Sequence, residues 1–400
     1  MSRKIISIYV ILIGVFIEVT WIAGIVSGPV FSSLLRLTNT QLGIILGSLN
    51  IGLFIFSPVA GKISSRLGSS RVLTWGVAGM ILGTALVLAA FNYPVLFTGM
   101  VITGVANAFV INANMTILSG LFPDMIRRII SLYSAIYFGA CSLFSPIIGH
   151  WLRVSSERGW HNLSFRVPFF FLMLVFIYFG YVTVRYIVPA LGRLMPVQDI
   201  PESSDENPSP VFLRWFWVPL LSFFHGLMYI VMVSWLSPMA MEKFGANEFQ
   251  GSLFVGVATM GMGVGRLSLS FLKTSWEDRK LLAMGTIIGG FLLLSGLFVP
   301  SYALSLLLIG IGSFIASCSF PCISALGGQL FPNNRAKVFG YMYATYAVAG
   351  ILGTPLAGIL ADRGISLSGV LSISAYSALL IGAVSLLWKR LDTKPITENG

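Results

Sequence analysis

The chain repeats itself in a fixed register. Leu121-Phe122-Pro123-Asp124, the basic pair Arg127-Arg128 and a tyrosine-bearing stretch lead to Ser145-Pro146-Ile147-Ile148-Gly149. The same order returns as Leu330-Phe331-Pro332-Asn333, then Arg335 and Lys337, then Tyr341, Tyr343 and Tyr346, closing on Thr354-Pro355-Leu356-Ala357-Gly358. The two copies are offset by one shift throughout: 332 minus 123 and 358 minus 149 both give 209. A shift that stays constant across helices and loops marks a tandem duplication whose unit is about half the chain.

The repeated unit is a membrane unit. Hydrophobic residues make up 56% of the chain and charged residues 10%, whereas a soluble domain carries about 25% charged residues. A spanning helix needs about 20 apolar residues, and the charge-poor runs supply roughly twelve. The expected fold is therefore an all-α polytopic membrane protein with 12 transmembrane helices. The first run extends to about Ser32, too long for a signal-peptide core. Thr40 is placed as the cap of the second helix, 41–64. The remaining spans are expected near 72–91, 95–121, 129–152, 167–189, 212–240, 248–272, 280–299, 302–330, 338–361 and 367–388. This divides the chain into an N-terminal six-helix half (1–190), a solvated linker (191–211) rich in proline, serine and acids, a C-terminal six-helix half (212–390) and a polar tail (391–400). The phenylalanine-rich run 169–179 reads as lipid-facing.

A net charge of +11 would suggest nucleic acid in a soluble chain. Here it reports topology, and no nucleic-acid partner is expected. With the N-terminus cytoplasmic, the inner segments hold eighteen of the Lys and Arg residues. The outer loops hold six: Arg36, Arg153, Arg158, Arg166, Lys243 and Arg363. The bias puts both termini in the cytoplasm of a multi-pass protein in the cell (inner) membrane. Cys141, Cys318 and Cys322 all fall in apolar runs and read as buried thiols, and no metal cluster is expected.

Two six-helix halves in one orientation form the parallel-repeat arrangement of the major facilitator superfamily. The segment from Gly61 to Arg71 resembles the signature loop of that superfamily, carrying Gly61, Arg66, Gly68 and Arg71. It has Ser65 where the signature has an aspartate. Asn107, Asn114, Phe122-Pro123, Tyr137-Phe138-Gly139, Gly265-Arg266 and Phe320-Pro321 resemble bacterial fucose-permease-like carriers of sugars and organic solutes. Met100 stands where drug/proton antiporters carry an arginine, and their glycine-proline motif survives only as Ser145-Pro146 with Gly149. The resemblance implies the major facilitator fold, alternating access, and a central cavity lined by the first, fourth, seventh and tenth helices. That implication brings His225 and Tyr229 on the seventh helix, and Ser317 to Cys322 with Ser319 on the tenth, into the candidate site.

The residues themselves single out Glu18. It is the only carboxylate deep within a span, where a charged acid costs at least about 2.5 kcal/mol. It is a candidate proton acceptor or solute ligand, or else a neutral acid bonded to a neighbouring helix. Gly14, Glu18, Trp21 and Ile25 share one helix face, and a carboxylate beside an indole suits a sugar or a cation. Arg266 is the only basic residue well inside a span. It reads as an anion ligand or gate partner, or as an arginine snorkelling to the surface. Asn107 and Asn114 share a face of the fourth helix, while Asn112 points elsewhere and suits an interhelical hydrogen bond. His225 is a packing residue or assists Glu18 in proton coupling. Tyr133, Tyr137, Tyr343 and Tyr346 are polyol ligands or interfacial packing. Pro146 with Gly149, and Pro355 with Gly358, suit helices that bend and cross closely.

No phosphate-cradling glycine loop and no catalytic constellation stand out, so neither an enzyme nor a cofactor is expected. The sequence points to a monomeric secondary transporter whose partners are a small-molecule substrate, protons and the bilayer. Proton symport of a sugar or related metabolite is the first expectation. Proton-coupled export of amphipathic or cationic compounds and an uncoupled facilitator are the alternatives.

Overall fold

The computed structural model describes residues 2–122, 126–194, 212–271, 277–330 and 335–387. Among them the secondary structure is entirely helical, and twelve helices are long and apolar enough to cross a bilayer. The first five spans are Arg3–Val26, Asn39–Leu67, Ser69–Leu88, Tyr93–Leu121 and Ile126–Glu157. The sixth runs through Arg166–Val182, a π turn at Thr183–Ile187 and Val188–Leu194. The seventh has the same build: Phe212–Gly226, a π turn at Leu227–Val231, and Met232–Phe244. The eighth, ninth, eleventh and twelfth are Glu248–Phe271, Asp278–Phe298, Arg335–Asp362 and Leu367–Leu387, and the tenth is broken into Tyr302–Ala316 and Ser319–Leu330. The tail at 391–400, most of the linker (195–211) and the Pro123-Asp124 corner lie outside the described residues. So does the side chain of Arg66.

Three local features differ from the sequence reading, each for an identifiable reason. The first span stops at Val26, short of Ser32, and a separate helix Gly28–Leu35 follows. Pro29 has no N–H to continue the ladder and instead sits in the first turn of the new helix, where proline is favoured. The second span is capped by Thr38 rather than Thr40. Thr38 Oγ1 accepts from the Gln41 N–H at 3.2 Å while the Thr38 N–H donates to Gln41 Oε1 at 3.1 Å, a reciprocal capping box. The tenth span breaks at Ser317-Cys318 because Pro321 cannot donate to the Ser317 carbonyl and its ring crowds that carbonyl. The phenylalanine-rich run is only partly lipid-facing: Phe170 and Phe171 are exposed, but Phe169, Phe176 and Phe179 are buried.

The second and third spans meet at Gly68, whose φ of 86° lies in the region that glycine adopts without strain. Gly61 has room around it, with Asn112 Oδ1 the nearest atom a side chain there would meet, at 4.0 Å.

The halves meet along a two-fold seam at the end of the bundle away from the termini. Ser145, just before Pro146, donates its hydroxyl to the Ser252 carbonyl at 2.8 Å. Thr354, just before Pro355, donates to the Gly43 carbonyl at 2.9 Å. The backbone of Glu248 crowds Gly149, and that of Asn39 crowds Gly358. Donors, acceptors and both glycine contacts all obey the repeat, since 252 minus 43 and 248 minus 39 also give 209. Asp362 closes the same end from the eleventh span. It accepts from the N–H groups of Asn39 (2.9 Å) and Thr40 (2.8 Å) and from the Thr40 hydroxyl (2.6 Å), at the N-terminus of the second span.

Candidate functional site

Five of the twelve spans supply one aromatic cage midway through the bundle. The fifth span places Tyr133, Tyr137 and Phe138 on its inner face, with Tyr137 and Phe138 at 4.5 Å between ring centroids. Tyr229 comes from the π turn of the seventh span and lies 5.4 Å from Phe138 and 5.7 Å from Trp21 on the first span. A π turn adds a residue to one helical turn and so re-aims the side chains it carries. The helix break in the tenth span does the same for Ser319 and Phe320. Phe320 stands 5.5 Å from His225 of the seventh span and 5.5 Å from Tyr343 of the eleventh. Tyr346 stacks on His225 at 5.7 Å. His225 is buried, and its Nδ1 shares a 2.9 Å hydrogen bond with the Ser319 hydroxyl.

Two opposite charges enter this cage. Arg266, from the eighth span, is 6% exposed. Its guanidinium lies 4.5 Å from the Phe138 ring centroid and 5.5 Å from that of Phe320, and one Nη1 donates to the Tyr137 hydroxyl at 3.3 Å. Its Nε is buried without a hydrogen-bond partner. The snorkelling alternative is thereby excluded, because the side chain points inward to the rings rather than along its helix to the surface. Glu18 is half-buried and makes no hydrogen bond or contact ion pair among the described residues. It lies within electrostatic reach of Arg266 and of Tyr133, Tyr137, Tyr343 and Tyr346. The site thus holds a carboxylate from one half and a guanidinium from the other, near each other but unpaired.

The sequence candidates sort cleanly against this geometry. Glu18, Trp21, Tyr137, His225, Tyr229, Arg266, Ser319 and Tyr346 all belong to the cage. Asn114 borders it beside Tyr133, fully buried, with its Nδ2 bonded to the Val10 carbonyl at 3.1 Å. Asn107 makes no hydrogen bond to the cage, and its buried Oδ1 has no partner. Asn112 bonds the Ala108 carbonyl of its own helix at 2.7 Å, not a neighbouring helix. Pro146, Gly149, Pro355 and Gly358 lie at the seam, away from the cage. Sequence reasoning brought Phe320 in only as part of the Ser317–Cys322 stretch and Phe138 only within the Tyr137-Phe138-Gly139 resemblance, and placed neither ring over Arg266. The adjacent motifs Tyr137-Phe138 and Phe320-Pro321 were the available signals.

Twelve spans in two six-helix halves related by the sequence repeat, with a charged aromatic site at their junction, define a membrane carrier. The chain belongs to the Major Facilitator Superfamily, whose family description matches residues 8–315 and 220–400. It is similar to an uncharacterised transporter of this type from Bacillus subtilis strain 168, 24% identical over 83% of each chain. The staphylopine export protein of Staphylococcus aureus is 26% identical over 84% of this chain and 80% of that one. The 3-(3-hydroxy-phenyl)propionate transporter of Escherichia coli K12 is 24% identical over 92% and 89%. Among solved structures, the inward-open xylose transporter of E. coli superimposes with a TM-score of 0.75 at 15% identity, covering 100% of this chain and 98% of that one. The E. coli fucose:proton symporter does so with a TM-score of 0.67 at 17% identity, over 97% and 99%. The fucose-permease-like fold expected from the sequence is the fold observed.

Proposed function

We propose that the chain is a secondary active transporter that moves a small polar solute by alternating access, coupled to protons through Glu18. The observation that carries this reading is Glu18 itself, a carboxylate deep in the first span with no bonded partner among the described residues. A buried acid kept for packing would be bonded to a neighbouring helix. An unbonded one is free to exchange a proton as water or solute arrives. Protonation of Glu18 permits closure of the loaded carrier, and its deprotonation on the other side resets it. A sugar is one candidate for the juxtaposition of carboxylate and rings, with Trp21 as a platform, and an acidic metabolite is another.

The charge bias of the loops supports cytoplasmic termini in the inner membrane. The two-fold seam then faces outward. The test is solute-driven proton movement, read with a trapped pH dye in proteoliposomes, over a panel of sugars, organic acids, amino acids and lipophilic cations, alongside Glu18→Gln. Proton movement with one polar class that disappears in the variant is expected. Transport unchanged in Glu18→Gln would reduce the protein to a facilitator with a packing acid. Export of cationic amphiphiles is a second reading, favoured by the aromatic lining and by a relative whose name is that of an export protein. Proton movement confined to lipophilic cations would select it.

A further inference from the structure

Arg266 has more donors than the protein satisfies. A guanidinium offers five N–H donors in a planar fork. Phe138 and Phe320 cover it at 4.5 and 5.5 Å, which satisfies its faces electrostatically but uses none of those donors. Its hydrogen bond among the described residues is the 3.3 Å contact to Tyr137, and its buried Nε has none. A buried donor left unpaired costs about 1–3 kcal/mol, and more on a charged group. Glu18 does not relieve this cost, because it is near but not in contact. The site is therefore incomplete in a specific way: it lacks a planar acceptor that can take two parallel N–H bonds. A neutral polyol cannot supply one, whereas a carboxylate can. Around that fork the walls are largely aromatic rings, with Phe138 and Phe320 nearest, which suits an apolar body attached to the acid.

We propose that the solute is an organic carboxylate with an aromatic or similarly apolar body, its carboxylate seated on Arg266 and its body held among Phe138, Tyr229, Phe320 and Tyr346. Charge balance then supplies the coupling. With the anion on Arg266, a charged Glu18 would leave the cage with net negative charge, so the loaded carrier takes up one proton with one monocarboxylate. Such a cycle moves no net charge, and it rests on the carrier reading above.

The test uses the purified full chain with phenylacetate as probe and phenylacetamide as its neutral match. Phenylacetate is expected to bind at least tenfold more tightly than the amide. Arg266→Gln should lose at least tenfold in that affinity. Arg266→Lys, which keeps the charge but not the fork, should fall between them. Thermal unfolding of each variant shows whether it is folded, and if Arg266→Gln is not, the lysine variant decides. Equal binding of acid and amide, full affinity in Arg266→Lys, or no binding of either phenylacetate or benzoate at millimolar concentration would overturn the proposal.

Glu18→Gln separates the two readings. It should bind phenylacetate at least as tightly as the parent yet fail to accumulate it in liposomes under a pH gradient. Accumulation unchanged in that variant would overturn the coupling while leaving the anion site standing. A neutral sugar accumulated by a protein that binds no acid would overturn the anion site and keep the carrier.

Discussion

His225 shows how a single side chain can be held on all sides and still leave its role open to experiment. Its Nδ1 is tied to Ser319 at 2.9 Å, and its ring stacks on Tyr346 and lies tilted against Phe320. If that bond serves packing, Ser319→Ala should lower stability by about 1 kcal/mol, read as a shift in thermal unfolding in detergent, and leave solute affinity unchanged. A collapse of proton-driven uptake without loss of stability would place His225 in the coupling path instead. Glu18 and Arg266 could be found in the sequence because a charge inside an apolar span is conspicuous. That Phe138 and Phe320 cover Arg266 could not, because 13% of the chain is aromatic and most such residues in a membrane protein face lipid or packing. What distinguishes Phe320 is the direction it acquires from the break caused by Pro321. Phe320→Leu should therefore weaken binding of an anionic solute several-fold, read in the same binding assay, while Phe171→Leu on the exposed face should not.

At the scale of helices, the spans were legible because hydropathy and length alone specify them. The interruptions at Ser27 and Ser317 and the two π turns were not, since they add or drop single backbone hydrogen bonds without altering hydropathy. The Thr38 capping box left a signal, a threonine followed three residues later by glutamine, that placing the cap at Thr40 passed over. The six cations expected on the outer side now have an explanation in part. Arg166 donates to the Leu88 and Ala90 carbonyls at 3.1 and 2.8 Å, at the end of the third span. Lys243 donates to Leu297 and Val299 at 2.6 and 2.7 Å, at the end of the ninth. Cations at helix C-termini satisfy orphan carbonyls and the helix dipole. Arg153, another of the six, pairs with Glu157 at 3.2 Å. Close crossing at the seam makes its own prediction. Gly358→Val would push against the Asn39 backbone, so spin labels at the exposed positions Arg36 and Arg363 should show a longer and broader distance distribution than in the parent. An unchanged distribution would mean that this approach does not set the closed end.

Across the whole molecule, the constant shift first seen in Pro123 and Pro332 governs the contact between halves as well as the sequence of each. The second span of one half meets the eleventh, and the fifth meets the eighth, through the same hydroxyl-to-carbonyl bond used twice. Each half therefore carries both a donor face and an acceptor face. In the language of oligomers the seam is isologous, the kind of surface with which a protein recognises a copy of itself. Two consequences follow. A single six-helix unit already contained the means to close one side of a carrier by pairing with its twin, so duplication had only to join two chains that fitted. The covalent joint is then dispensable to assembly: fragments 1–200 and 201–400, co-expressed as separate chains, should copurify as one complex.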